Sequence, residues 1–440
     1  MYKIGLYEKE ITPLFGNSLC GYFNTRLTDG VIDKTFAKSV VIEDDAKTVA
    51  ILAVDACFVS DELVNYVCKK VNKYTGIARE NVTVSATHSH TAGPCNLGEL
   101  GADDKLDGLY LEWLYNACAD TIILAYQSRE NAKIKLAEGE VNGISFCRNY
   151  VLKSGTVRTN PGVGNPDIVE PFGQSDPYLP VLLFENESGK KLGLLYSFAN
   201  HQDSVDGTKA SGDWSSIVSY RMKDAFGRDF ISVMVYGTAG NINQVDVNNK
   251  DKDYNPISCH KYLGNAVADG IFKALENVAE LDGQISVAFT TKLYENRVMS
   301  QEEIKEQQAV LDRTPLPDDM KLDASSPKEL FDACTARRAL IHTMTETKYY
   351  KVTFQIIKIG KVMIFALPGE VFSQFGFKIK SAFKDNVCVF DCLANNRWSY
   401  MPTEECYLPE LYESLYGSSK YKAKDVTDIF DTFIELGKKM

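Results

Sequence analysis

Apolar positions along the chain fall into short paired runs separated by turn residues, and into longer stretches with helical spacing. Val40-Val41-Ile42 and Val49-Ala50-Ile51-Leu52-Ala53-Val54 flank Asp44-Asp45-Ala46-Lys47, a pattern that predicts a hairpin. Residues 181–184 and 192–196 repeat it around Asn186-Glu187-Ser188-Gly189, and residues 352–357 and 362–366 around Ile359-Gly360-Lys361. Each hairpin ends near a polar residue suited to a site. The β-branched run Asn81-Val82-Thr83-Val84 reads as a buried strand. Residues 62–74, 109–126, 371–383 and 426–438 carry helical spacing. The expected class is α/β: a mixed β-sheet core built from hairpins and βα units with flanking helices.

The segment from Ser300 to about Lys348 is charged and mostly helical, with Thr314-Pro315-Leu316-Pro317-Asp318-Asp319 as a surface connection. It reads as a helical surface excursion from one continuous domain spanning residues 1–440. No internal repeat or low-complexity tract interrupts the sequence.

Candidate chemistry gathers where the strands end. His88 and His90, two of only five histidines, follow the strand at 81–84 and precede Gly93-Pro94. In an extended chain, residues two apart point the same way, so both imidazoles would face one site. That suits a metal or an acid/base centre, or equally two hydrogen-bonded side chains at a strand terminus. His201 closes the second hairpin, ahead of the polar Gln202-Asp203-Ser204 loop and Ser211-Gly212-Asp213. Glu370, in Pro368-Gly369-Glu370, follows the third hairpin; it is a carboxylate ligand or a simple acid at a helix start. Asp55 and Asp213 are expected to orient neighbouring groups, and His260 and His342, in helical contexts, to be non-catalytic.

Composition narrows the partners. The net charge is −11 with no basic block, which argues against nucleic acid and anionic membranes. No apolar run is long enough for a membrane span, and no signal-peptide pattern opens the chain, so a cytoplasmic protein acting on a small molecule is expected. The eleven cysteines are scattered without a Cys-x-x-Cys pair; they read as core residues of a reducing compartment, not as zinc ligands. No coiled-coil heptad speaks to oligomeric state.

In order along the chain, Glu10-Ile11-Thr12-Pro13 with Gly21-Tyr22, Ala86-Thr87-His88-Ser89-His90 with Gly93-Pro94, His201 with Ser211-Gly212-Asp213, residues 237–243, and Pro368-Gly369-Glu370 are similar to blocks of one family. Tyr400-Met401-Pro402-Thr403, Glu405, Tyr407, Tyr412 and Glu413 complete the set. Together they resemble the catalytic domain of the neutral/alkaline non-lysosomal ceramidases. The resemblance implies a zinc ion held by His88, His201, Glu370 and Tyr400. It also implies that His90, Arg148 (in Phe146-Cys147-Arg148-Asn149) and Tyr412 contact the reacting carbonyl.

The chain departs from that pattern in three respects. Asn243 stands where the family carries a serine proposed as nucleophile, which leaves metal-activated water as the attacking group. The sequence stops soon after the tyrosine block, without the family's immunoglobulin-like domain, and it lacks a secretion signal. The expected activity is therefore zinc-dependent hydrolysis of an amide or ester in a small soluble substrate other than ceramide. Two alternatives stand beside it: metal-dependent elimination from a sugar or hydroxy acid, and a non-catalytic zinc-containing domain that binds a ligand. The oxygen-rich, open ligand set argues against the last, because structural zinc sites are closed by cysteine and histidine.

Overall fold

The computed structural model describes residues 1–97, 102–317, 326–345, 347–395 and 399–440. The loop 96–107 and the connection 314–319, singled out from the sequence, lie partly outside these residues. Strands β1 (Tyr2–Glu10), β2 (Phe36–Glu43), β3 (Thr48–Val54), β4 (Val82–Ala86), β5 (Glu130–Glu140), β6 (Tyr178–Asn186), β7 (Lys191–Phe198) and β8 (Ile231–Tyr236) form one sheet. Their order is β8-β7-β6-β5-β1-β2-β3-β4, and Ala279–Leu281 pairs with β5. Strands β9 (Ile285–Glu295), β10 (Tyr349–Ile359), β11 (Val362–Ala366) and β12 (Val387–Asp391) form a second sheet in that order. The helices are α1 (Asp61–Thr75), α2 (Asp104–Gln127), α3 (Trp214–Phe226), α4 (Pro256–Ala274), α5 (Gln301–Arg313), α6 (Lys328–Thr345), α7 (Ser373–Ala382) and α8 (Ala423–Gly437).

All three predicted hairpins form, and each is the start of a larger unit. The β2–β3 hairpin is followed by α1 and by β4, parallel to β3. The β6–β7 hairpin is followed by α3 and by β8, parallel to β7. The β10–β11 hairpin is followed by α7 and by β12, parallel to β11. The unit recurs in topology although the sequence carries no repeat.

Alternation along the strands decides what packs where. Ile42, Ile51, Leu195, Val233, Ile357, Ile364 and Val389 fill the layer between the two sheets. Their neighbours, among them Val41, Leu52, Val84, Tyr196, Phe354 and Phe365, face the helices. Helix α2 covers β1, β2 and β3, α4 covers β5 and β6, and α7 and α8 cover the second sheet. Each such side chain contributes on the order of 1.5–3 kcal/mol when fully buried.

The carboxyl ends of the parallel pairs are stitched together. Thr87 N donates to Val54 O (2.9 Å), Gly237 N to Phe198 O (3.1 Å), Cys392 N to Tyr236 O (2.7 Å) and Asn395 N to Val84 O (2.8 Å). The last two bonds cross from one sheet to the other, so the three units deliver their strand ends to one place.

Within the segment 300–348, α5 has no buried residue, whereas α6 buries residues from Ala333 to His342 and packs Leu340 near Tyr416. All eleven cysteines are buried and unpaired. Among the described residues no helix is long and apolar enough to cross a membrane.

Candidate metal centre

His88, His201 and Glu370 converge in the buried space where those strand ends meet. His88 Nε2 lies 3.1 Å from His201 Nε2 and 3.1 Å from Glu370 Oε2, and His201 Nε2 lies 3.6 Å from the same oxygen. Ligands about 2.0–2.1 Å from a tetrahedral zinc ion stand roughly 3.3–3.4 Å from one another, so the three separations suit such an ion. The donor set suits one as well. His88 Nδ1 is 2.8 Å from Cys57 O, a group that only accepts, so Nδ1 carries the hydrogen and Nε2 turns its lone pair inward. His201 Nδ1 is held in the same sense by Ala239 O (3.3 Å) and the Tyr236 hydroxyl (3.1 Å). Cys57, His88 and His90 form a second possible cluster, which shares His88 with the first; burial pushes the Cys57 thiol well up.

The route by which the residues reach the site differs from the expectation in two places. His88 is not extended: its φ is +74°, an uncommon conformation for a non-glycine residue, fixed by its own N–H to Ala56 O (2.9 Å). The His90 ring comes back to the site through its N–H bond to Gln202 O (3.0 Å), with Nε2 3.3 Å from His88 Nε2. Glu370 does not open the helix. It lies on the two-residue strand Glu370–Val371, directly opposite Tyr400 on the parallel strand Tyr400–Met401, and α7 starts after Phe372. Gly369 makes this possible: its φ is +77°, and a Cβ there would lie 2.2 Å from Ser399 O.

A second ring surrounds the cluster. Tyr400 is buried beside Glu370, with the Arg148 guanidinium 5.3 Å from its ring centre. Arg148 is itself buried, donating from Nε to Glu413 (2.6 Å) and from a terminal nitrogen to Gly240 O (2.9 Å). The Tyr412 ring meets Tyr400 edge-on at 5.7 Å. His90 turns Nδ1 towards Asp203 (3.7 Å), whose carboxylate accepts from the Tyr22 hydroxyl.

Burial disfavours the charged form of His88 and the adjacent Glu370 carboxylate favours it, with the net direction upward; an ion at the cluster would compete with that proton for the Nε2 lone pair. Burial and the charge on His88 push His201 and His90 well down, so both imidazoles are neutral. Burial pushes Tyr400 up, opposed by Arg148.

Of the other residues named from the sequence, Asp55 accepts from Thr87 Oγ1 (3.1 Å) and Phe36 N (2.8 Å), bracing the strand end before His88. Asp213 accepts from Ser204 N (2.9 Å) and Val205 N (2.8 Å), fixing the loop after His201. Asn243 uses both ends of its amide within the neighbouring loops, on Asn160 (3.0 Å) and Val245 N (3.0 Å). His260 and His342 sit on α4 and α6. Sequence reasoning did not find Tyr236, Glu413 as the partner of Arg148, or Asp203 beside His90. Only Tyr236 left a signal, as the polar-tipped last residue of the apolar run Ile231–Tyr236.

Strand-end histidines and a carboxylate, buried together in a mixed α/β fold, define a candidate metal centre of an enzyme. The description "Neutral/alkaline non-lysosomal ceramidase, N-terminal" matches residues 2–233, more than half of the chain, and the chain belongs to that family of hydrolases. It is 24% identical to the neutral ceramidase of Pseudomonas aeruginosa over 482 aligned positions, which cover 94% of this chain and 69% of that protein. The crystal structure of a neutral ceramidase from Pseudomonas aeruginosa superimposes with a TM-score of 0.75 at 20% identity, covering 99% of this chain and 74% of the other. A ceramidase complexed with C2 superimposes with a TM-score of 0.72 at 19% identity, over the same shares.

Proposed function

We propose that this protein is a zinc-dependent hydrolase that cleaves a carbon–nitrogen amide bond, or a related ester, in a small soluble substrate. The observation that carries the proposal is the convergence of His88 Nε2, His201 Nε2 and Glu370 Oε2 at 3.1–3.6 Å. In this reading Tyr400 is the fourth protein group at the ion. When bound, zinc lowers the pKa of a water to about 7 and polarises a carbonyl.

The remaining work falls to the chain's own residues. Arg148, held in place by Glu413, turns its charge towards Tyr400 and the developing oxyanion. His90, neutral and next to His88, accepts a proton from the attacking group and returns it to the leaving nitrogen. Tyr412 donates a hydrogen bond to the reacting carbonyl. Asn243, with both amide ends engaged, offers no nucleophile.

A small N-acyl amide is proposed in preference to ceramide; the acidic balance of the chain supports this only in that it disfavours recruitment to the anionic membranes in which such a lipid is embedded. Eleven unpaired cysteines agree with a reducing compartment such as the cytoplasm. The packing of α6 on the tyrosine block supports treating residues 1–440 as one folding unit.

The test is hydrolysis of a panel of N-acyl amides, soluble esters and ceramide in isotopically heavy water, read by mass spectrometry. One solvent oxygen in the acid product of a soluble amide supports the proposal. An unsaturated product without solvent oxygen would replace hydrolysis by elimination, and cleavage of ceramide alone would overturn the choice of substrate.

A further inference from the structure

Helix α6 reaches the candidate site through the loop at 412–420. Gly417 at φ +79° lets the two approach: a Cβ there would lie 3.0 Å from the backbone of Arg338 and Ala339. Around this contact, Arg297 donates to Ser414 O (2.5 Å) and Tyr416 donates to Glu303 (3.0 Å). Arg338 lies at its centre. One terminal nitrogen donates to the Tyr412 hydroxyl at 3.0 Å and the other to Ser418 Oγ. The guanidinium also covers the rings of Phe23 (4.6 Å) and Tyr412 (5.2 Å). Ser418 in turn accepts from Tyr400 N at 3.0 Å.

The chemistry of this contact has a direction. A guanidinium carries donors only, so the Tyr412 oxygen must accept, and its own proton is left to be given to another group. Among the described residues no protein acceptor takes that proton. We propose that Arg338 is a positioning residue: it fixes Tyr412 as a hydrogen-bond donor towards the reacting carbonyl and holds its ring against Tyr400. This rests on the hydrolase reading above, in which Tyr412 borders that carbonyl.

The experiment compares wild type, Arg338→Met, Arg338→Lys, Tyr412→Phe and the double variant Arg338→Met/Tyr412→Phe on a fluorogenic N-octanoyl aminocoumarin amide. A lost oxyanion donor costs about a hundred- to a thousandfold in kcat, and a loosened one part of that. Arg338→Met should lose about ten- to a hundredfold in kcat, with KM within about twofold and metal content unchanged. Arg338→Lys should recover part of the loss, and the double variant should be no slower than Tyr412→Phe. Wild-type turnover in Arg338→Met, or losses that multiply in the double variant, overturns the positioning role and leaves the hydrolase reading intact.

If the wild type cleaves no amide, the hydrolase reading fails instead. The pairing is then read by fluorine NMR on fluorotyrosine-labelled protein. The resonance missing in Tyr412→Phe must shift in both Arg338→Met and Arg338→Lys, and one that stays in place overturns the pairing.

Discussion

Glu370 and Tyr400 face one another across a two-residue parallel ladder, although they lie on opposite sides of α7 and β12 in the chain. Glu370 N donates to Ser399 O at 2.8 Å, and Gly369 provides the close approach that bond needs. The ladder sets Glu370 and Tyr400 side by side, a pairing that a helix start at Glu370 would not have made. Helix α7 thus follows the site without supplying its charge.

Tyr236 holds His201 from behind, its hydroxyl 3.1 Å from Nδ1. Removing such a support costs metal ligands about ten- to a hundredfold in affinity. Tyr236→Phe should bind zinc more weakly by that factor in chelator competition, while the folded far-UV spectrum stays the same.

Arg148 and Glu413 are 7% and 0% exposed. Breaking a buried pair by removing one partner costs about 3–5 kcal/mol, because the other charge is left buried. Arg148→Met should lower the urea-unfolding free energy by that amount as well as abolish turnover. Tyr412→Phe, which takes one acceptor from the half-buried Arg338 but leaves its bond to Ser418, should lose turnover with a smaller change in stability.

Gly21, at φ +110°, lies against His90: a Cβ there would meet Nδ1 at 2.7 Å. Gly21→Ala should cost about 1–2 kcal/mol from the left-handed backbone alone. It should also displace the imidazole and cut kcat by about a hundredfold, as misplacement of a reacting group by about 1 Å does. Thermal unfolding and steady-state kinetics on one preparation separate the two effects.

Asp391 ends β12 facing the layer between the sheets, and burial pushes its carboxyl up to about 7, with Ser85 opposing the shift. The unfolded carboxyl titrates near 4. The folded state therefore binds this proton more tightly, so the stabilising contribution is complete below about pH 4 and is lost as pH rises towards about 7. The loss is on the order of 4 kcal/mol, from about 1.4 kcal/mol per pKa unit. In urea titrations at pH 5 and pH 8, Asp391→Asn should show a shallower decline with pH than wild type. Parallel declines would contradict the assignment.

The parts of this fold written in local pattern were legible in the sequence. Three hairpins and the strand before His88 follow from apolar runs and turn residues, and the four helices given bounds from their spacing, α1, α2, α7 and α8, fall within five residues of them. The histidines and Glu370 were legible because each follows a strong strand signal. What was not legible depends on backbone reversal and on contacts between distant segments. Nothing local announces the left-handed φ at His88, or the pairing of Glu370 with Tyr400. Arg338 reads as one charge among many on an amphipathic helix, and only packing against Gly417 gives it a role. The threefold ββαβ unit is likewise invisible, because its copies share topology and little else.

The most direct measurement is the metal content of the purified protein by plasma mass spectrometry, for wild type, His201→Ala and Glu370→Gln. We expect one zinc per wild-type chain, a near-complete loss in His201→Ala and a marked loss in Glu370→Gln, with all three proteins folded. A folded wild type that holds no zinc after incubation with the ion, or a His201→Ala protein that retains it in full, would contradict the metal centre assigned to His88, His201 and Glu370.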